Sequence, residues 1–74
     1  MDTKYHDVYA QIGLNILHYR KKLGFTQMQL AEKTSLSRNH IQKIETATAI
    51  PSLPALLSIA EALHVQPAKL FEIR

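Results

Sequence analysis

The sequence predicts an all-α protein, a compact domain of five helices without a strand. Along most of the chain, apolar residues recur at steps of three and four, which is the spacing of one helix face. No hydrophobic run alternates with a period of two between turn residues, as a half-buried strand would. Glycine occurs only twice in 74 residues. Because this length suits one small core, we expect residues 1–74 to form a single domain.

Composition narrows the class of protein. Apolar residues make up 46% of the chain, which is ordinary for a globular protein and too high for a disordered one. There is no cysteine, which excludes disulfides and thiolate metal sites. No apolar run approaches the roughly 20 residues of a membrane span, and the polar, acidic N-terminus does not resemble a signal peptide. We therefore expect a soluble intracellular protein without membrane contact.

The charge is unevenly distributed along the chain. The net charge is +3, but the segment 20–43 holds six cations against one carboxylate, and the remainder is net acidic. Such a distribution favours attraction of a polyanion to the middle of the chain. A merely solvated basic face is the alternative that charge alone leaves open.

The first helix is predicted from about His6 to Leu23. Lys21 and Lys22 suit the negative C-terminal end of a helix, and Gly24 can take the left-handed conformation that stops it. The apolar residues expected on its inner face are Tyr5, Tyr9, Ile12, Ile16, Tyr19 and Leu23.

Two short helices follow with a tight turn between them. Thr26 and Gln29 have the spacing of a capping box, which predicts a second helix that ends near Lys33. After a turn of about three residues, Ser37 is the expected N-cap of a third helix that ends near Thr46.

Helices joined by so short a turn must cross steeply and pack through apolar side chains. This arrangement leaves the polar start of the third helix projecting, at a size that fits a DNA major groove. The sequence therefore predicts that residues 26–46 read DNA. The expected contacts between the two helices are Leu30, Ala31, Leu36, Ile41 and Ile44.

The last third of the chain completes the domain. Pro51 disfavours helix in the residue before it, so residues 47–51 are predicted to be a loop. Ser52 should cap a fourth helix that runs through Leu63, and Pro67 fits the first turn of a short fifth helix that carries Leu70 and Phe71. The expected inner side of the fourth helix consists of Leu53, Leu56, Leu57, Ile59, Ala60 and Leu63.

From Ile12 to Phe71 the chain resembles the lambda-repressor-like (Cro/CI, or XRE) helix-turn-helix family. Each matching string is common alone, but together and in register they form a specific signature. The strings are IGLNI at 12–16, RKKLGFTQ at 20–27, QLAEK at 29–33, SRNHI at 37–41, IE at 44–45, PSL at 51–53, LL at 56–57, IAEAL at 59–63, Val65 and LF at 70–71.

The resemblance implies roles for individual residues. Gln27 matches the family position that clamps a phosphate at the start of the second helix, and Arg20 and Glu45 match positions that often pair. Arginine or lysine can donate to guanine and asparagine can pair with adenine, so the residue types agree with readout. The alternatives are solvated side chains, and for Gln29 a capping role. The residues expected to contact DNA are Gln27, Ser37, Arg38, Asn39, His40, Gln42 and Lys43.

Several positions depart from the family pattern. Ser35, Ala47 and His64 stand where the family often has glycine, and we expect Ser35 to take a positive φ at some energetic cost. Residues 47–50 contain no lysine or arginine, although the family often contacts phosphates there. A shallow dependence of DNA binding on salt should follow.

Leu14 and Leu17 lie on a side of the first helix that is usually polar in this family. Our preferred interpretation is that they pack under Tyr5, Val8 and Tyr9. The alternative is a second contact surface.

An enzyme is not expected, because the sequence has no serine–histidine–acid set, phosphate loop or paired carboxylates. The four histidines form no i, i+4 pair, so neither a metal nor a cofactor is predicted. The rival interpretation is a protein-interaction module with the same fold, such as an antitoxin. Because the chain ends at Arg74, soon after the fold is complete, we favour a stand-alone regulator of the size of restriction–modification controller proteins.

The predicted function is sequence-specific binding of double-stranded DNA at a palindromic operator to regulate transcription. One such domain reads few base pairs, which predicts a homodimer with recognition helices about 34 Å apart. We expect a cytoplasmic regulator of bacterial or phage type, associated with the nucleoid when bound. The predicted dimer interface consists of Ile50, Leu53, Val65, Leu70, Phe71 and Ile73.

Overall fold

Residues 4–73 are described by the computed structural model, which contains four α-helices and a C-terminal 3-10 helix, without a strand in this part of the chain. The prediction of an all-α protein is confirmed, but the predicted fifth helix is wrong in type. It spans only five residues, and its Lys69 amide donates to the carbonyl of Gln66, three residues earlier, at 2.9 Å. Such short segments favour this tighter winding. The elements are α1 (His6–Lys22), α2 (Gln27–Lys33), α3 (Arg38–Glu45), α4 (Leu53–Ala62) and the 3-10 helix (Pro67–Phe71).

Three of the helices begin at the side chains that the sequence predicts as caps. Thr26 Oγ1 accepts from the amide of Gln29 at 3.0 Å, and Gln29 Oε1 accepts from the amide of Thr26 at 2.8 Å, which completes the capping box of α2. Ser37 Oγ caps α3 by accepting from the amide of His40 at 3.0 Å. Ser52 Oγ caps α4 in the same way. These bonds satisfy amides that have no partner inside the helix.

The core lies among all four α-helices and is closed by the 3-10 helix. Four residues that we expected to face inward are about half exposed or more: Tyr5, Leu23, Leu53 and Leu57. Tyr5 and Leu23 flank α1, and Leu53 and Leu57 are one turn apart on the solvent side of α4. The buried cluster consists of Ile12, Ile16, Leu30, Ala31, Ile41, Ile44, Leu56, Ile59, Ala60, Leu63 and Leu70.

Asn15 is a buried polar residue that sequence reasoning did not single out. Its Nδ2 donates to the carbonyls of Leu70 at 2.9 Å and Glu72 at 2.8 Å, and its Oδ1 accepts from Gln11 Nε2 at 3.0 Å. The side chain is fully buried, so these bonds replace its hydration. They attach the end of the chain to α1.

Within the described part of the chain, the left-handed residues are Gly24 (φ 76°), Ala47 (φ 59°) and His64 (φ 59°), and the expectation for Ser35 is wrong. After α1, α3 and α4, the chain turns back through paired bonds to the last carbonyls of each helix, as in His64 to Glu61 and Val65 to Ala60, both at 3.1 Å. That motif requires a left-handed residue. The chain leaves α2 through an extended residue instead, so the turn at Ser35 needs no positive φ.

Replacement of His64 by glycine should raise the free energy of unfolding by about 1 kcal/mol. A left-handed conformation costs an L-residue roughly 1–2 kcal/mol, and glycine avoids this cost. Part of the gain in stability is lost because glycine has greater conformational freedom in the unfolded chain. His64 is exposed, so its side chain contributes little packing. The matched control is Ser35→Gly, which relieves no left-handed residue and should not stabilise. Urea denaturation measures both, and equal shifts in the two variants would contradict the assignment.

Candidate nucleic-acid interface

The packing of α2 against α3 sets the direction of α3. Leu30 and Ala31 of α2 and Ile41 and Ile44 of α3 are buried, and Leu36 is partly buried between the two helices, as predicted. Leu30 and Ala31 lie on the side of α2 that faces the core, and Ile41 and Ile44 lie on the corresponding side of α3. This contact buries the apolar side of α3 and leaves its polar side exposed to solvent.

Gly13 lets α1 approach the end of α3 closely. A Cβ atom at this position would lie 2.6 Å from the carbonyl oxygens of both Ile44 and Glu45, which is closer than real side chains come to backbone. Glycine is therefore required by the space at this crossing and not by its φ angle. The close approach fixes the C-terminal end of α3 relative to the body of the protein.

A buried ion pair holds the same crossing. Arg20 Nε donates to Glu45 Oε2 at 2.6 Å and Nη2 donates to Oε1 at 3.1 Å, which is a bidentate arrangement. Arg20 Nη1 also donates to the carbonyl of Phe25 at 2.8 Å. The two residues are 8% and 7% exposed. Paired charges of this kind favour one geometry more than they add stability.

Gln27 joins this ion pair. Its Nε2 donates to Glu45 Oε1 at 3.0 Å, so the first residue of α2 is tied to the last residue of α3. An amide nitrogen has two donors, and the second is not used by any bond within residues 4–73. The sequence suggested Gln27 and the Arg20–Glu45 pair as separate features. No sequence signal linked them, because the partners are 18 positions apart.

The remaining predicted contact residues lie on α3 or cap it. Ser37, Arg38, Asn39 and Lys43 are exposed, whereas His40 and Gln42 are partly buried. Within residues 4–73, neither Arg38 nor Lys43 forms an ion pair. The structure thus brings the six residues to one helix, with Gln27 anchored beside that helix's end through Glu45.

The loop after α3 is uncharged and folded back on the helix. Thr46 Oγ1 donates to the carbonyl of Gln42 at 3.0 Å, and Thr48 Oγ1 donates to that of Lys43 at 3.2 Å. The amides of Thr48 and Ala49 also donate to the Lys43 carbonyl. These bonds satisfy the end of α3 within the chain.

The predicted dimer residues fall into two groups. Ile50, Leu53, Phe71 and Ile73 are exposed, with Leu53 and Ile73 the most exposed at 63% and 79%. Leu70 is fully buried and is therefore not available for an interface, and Val65 packs partly against the same core. Leu70 belongs to the core because Asn15 binds its carbonyl and draws the 3-10 helix onto α1.

Two further kinds of feature are absent from residues 4–73. No helix there is both long and apolar enough to cross a membrane. No cluster of three or more histidine, aspartate or glutamate side chains is placed to hold a metal ion in that part of the chain.

Known proteins share this arrangement. A helix-turn-helix family model matches residues 16–70. An immunity repressor protein of Bacillus phage phi105 is 44% identical over 55 residues, which is 74% of this chain but only 38% of the phage protein. The crystal structure of the restriction–modification controller protein C.AhdI from Aeromonas hydrophila superposes with a TM-score of 0.83 at 28% identity, covering 85% of this chain and 96% of that one. The clp gene regulator ClgR from Corynebacterium glutamicum shares the fold, with a TM-score of 0.82 at 24% identity over 85% of this chain and 67% of that one.

Proposed function

Because this chain belongs to the XRE-type helix-turn-helix family of DNA-binding transcription regulators, we propose that it binds a palindromic operator as a homodimer and reads it with α3. The observation that carries this proposal is the exposed polar side of α3, held in place by a buried apolar face and by the Arg20–Glu45 pair. A major groove is wide enough to admit an α-helix, and the eight residues of α3 can lie in it with their N-terminal side chains toward the bases. Occupation of the operator then controls transcription.

Base readout falls to the first turn of α3. Arg38 offers a planar set of donors that matches the O6 and N7 acceptors of guanine. Asn39 offers a donor and an acceptor, which matches N7 and N6 of adenine. Lys43 lies one turn further along the helix and reaches a base or the neighbouring backbone. Ser37, His40 and Gln42 supply shorter contacts around them.

Phosphate contacts set the position of the helix on the duplex. Gln27 keeps one amide donor for a phosphate oxygen while the other holds Glu45. Because Glu45 is also bound to Arg20, the Gln27 side chain is oriented before DNA arrives. Such preorganisation reduces the ordering entropy that binding costs.

A homodimer follows from the size of the reading surface. One short helix contacts only a few base pairs, so useful specificity needs two half-sites. Ile50, Leu53, Phe71 and Ile73 provide exposed apolar surface for a two-fold contact, and Leu57 adds to it on the same side of α4 as Leu53. Recognition helices about 34 Å apart would then match successive major grooves.

Selection of bound sequences from a random DNA pool, followed by sedimentation of the protein with and without the selected site, tests this proposal. We expect a palindrome whose half-sites are centred about one helical turn apart, bound by two chains. Failure to enrich any sequence would refute specific binding. Enrichment of an asymmetric site bound by one chain would refute the homodimer.

The DNA affinity of this chain should depend on salt only weakly in comparison with other members of the family. Arg38 and Lys43 are the candidate cations on the reading helix, and residues 47–50 add none. Arg38 and Lys43 of each chain come close to the duplex whether they contact bases or phosphates, so about four cations per dimer displace counterions and give a slope of log Kd against log salt of about 4 in magnitude. The matched variant Ala49→Lys places one cation in the loop and should steepen the slope by about 2 per dimer. Titrations by fluorescence anisotropy at several salt concentrations measure both, and a native slope near ten would contradict the prediction.

A further inference from the structure

The outer side of α1 carries apolar surface that the rest of the described chain does not cover. Leu14 is 54% exposed and Leu17 is partly exposed. We expected Leu14 and Leu17 to pack under Tyr5, Val8 and Tyr9, but for Leu14 this is wrong, because more than half of its surface remains exposed. An open depression of about 470 Å³ lies here, and its lining defines the Leu14 surface: Leu14, Leu17, His18, Lys21 and Lys22.

This surface is separate from the residues proposed to bind DNA, none of which lines it. Leu14, Leu17 and Lys21 follow one another at steps of three and four and therefore share a side of α1. The opposite side of the helix is engaged in the core through Ile12 and Ile16. A molecule seated on the Leu14 surface would leave the first turn of α3 accessible.

The charge around the two leucines has one sign. Lys21 and Lys22 are both exposed, His18 stands beside them, and no carboxylate lines the depression. Neither lysine forms an ion pair among residues 4–73. A complementary surface must therefore present apolar side chains to the leucines and acidic groups to the lysines.

Two other occupants fit this chemistry less well. A two-fold contact of the surface with its own copy would set lysines against lysines. A DNA backbone would satisfy the lysines but has no apolar group to remove Leu14 and Leu17 from water. An acidic amphipathic helix supplies both components. Its apolar side chains at i and i+4 lie one turn apart and can meet Leu14 and Leu17, which are also about one turn apart on α1.

We infer that the Leu14 surface docks an acidic amphipathic helix of another protein. Two apolar side chains of that helix pack on Leu14 and Leu17, and its carboxylates face Lys21 and Lys22. The chain then has two faces, one for DNA and one for a protein, which can be occupied together. The protein-binding face would be additional to DNA binding, because the helix-turn-helix fold does not itself require it.

Titration of a designed peptide into the 15N-labelled full chain tests the inference. The probe is a helix of about four turns with leucines at i and i+4 flanked by glutamates, and its analogue carries lysines at the glutamate positions. We expect the acidic peptide to shift the amide signals of residues 14–22 and to bind at least about tenfold more tightly than the basic analogue. Equal binding of the two peptides, or shifts centred on α4, would overturn the inference.

Three variants complete the experiment, and circular dichroism checks that each folds. Leu14→Gln should weaken binding of the acidic peptide about tenfold, and the double variant K21E/K22E should reverse the preference between the peptides. Met28→Gln, on a half-exposed methionine of α2 outside the Leu14 surface and the proposed dimer contact, is the matched control and should leave peptide affinity unchanged.

The same variants distinguish the other occupants. If Leu14→Gln lowers self-association in sedimentation, a second copy covers the surface and the inference is wrong. If Leu14→Gln lowers DNA affinity and the acidic peptide does not bind, DNA covers the surface, and the inference is likewise wrong. Because peptide binding is measured without DNA, failure of the operator proposal leaves this test intact.

Discussion

Replacement of Glu45 by alanine should lower the free energy of unfolding by about 3–5 kcal/mol, because it leaves the Arg20 guanidinium buried without its counter-charge. Arg20 is only 8% exposed, and two of its nitrogens donate to Glu45. Small domains have about 5–15 kcal/mol of stability in total. The loss therefore removes a large fraction of it, and urea denaturation of the purified chain measures it directly.

The matched control is Glu32→Ala, which removes an exposed carboxylate from α2. Surface substitutions of this kind change stability by about 0.5 kcal/mol or less. If Glu45→Ala and Glu32→Ala unfold at the same urea concentration, the pair does not act as a buried unit. The double variant Arg20→Met/Glu45→Leu separates the pair's two roles, since it removes both buried charges and should recover most of the stability.

That double variant should still bind DNA more weakly than the native chain. Gln27 loses the acceptor that orients it, although the core is intact. Anisotropy titrations on the selected operator measure this loss. Native affinity in the double variant would show that Glu45 serves stability alone and that Gln27 needs no fixed partner.

Local signals allowed much of the fold to be predicted from the sequence. Thr26, Ser37 and Ser52 begin helices because each side chain bonds to an amide three residues away. Gly24 ends α1 because it can take a positive φ. Each of these features is determined within a few positions of the chain, which is the range that pattern reasoning covers.

Features that depend on distant parts of the chain were predicted poorly. Leu70 was predicted to be interface surface, but it is buried. Its carbonyl accepts from Asn15, which is 55 positions away in the sequence, and no local pattern connects the two residues. Ser35 was expected to be left-handed, whereas the way α2 ends makes that unnecessary. Leu57 was placed inside by helical spacing, but neighbours from other elements decide which side of α4 is covered.

The candidate site shows the same division. The identity of the residues on α3 was available from their spacing, because caps and apolar positions determine which side of the helix remains polar. The bond from Gln27 to Glu45 was not, because only the folded chain brings the start of α2 to the end of α3. The sequence therefore suggested the candidate DNA contacts, and the structure added the hydrogen bond that orients Gln27.

Replacement of Arg38 by alanine should weaken binding to the selected operator by about 1–3 kcal/mol if its guanidinium reads guanine. Arg38 is exposed and forms no ion pair within residues 4–73, so its removal should cost little stability. Anisotropy titrations on the operator and on random duplex measure the affinity. A guanine contact predicts a large loss on the operator and a small one on random DNA.

The matched control is Lys69→Ala, which removes the same unit charge from the C-terminal 3-10 helix, outside the proposed reading surface. Both variants lower the net charge by one, so a larger loss for Arg38→Ala measures the contact and not the general field. Substitution of 7-deazaguanine at the contacted base removes the N7 acceptor and provides a second perturbation of the same bond. The two losses should be non-additive, since either change breaks that one interaction. Additive losses, or equal losses on operator and random DNA, would show that Arg38 touches only phosphate, and base readout would then pass to Asn39 and Lys43.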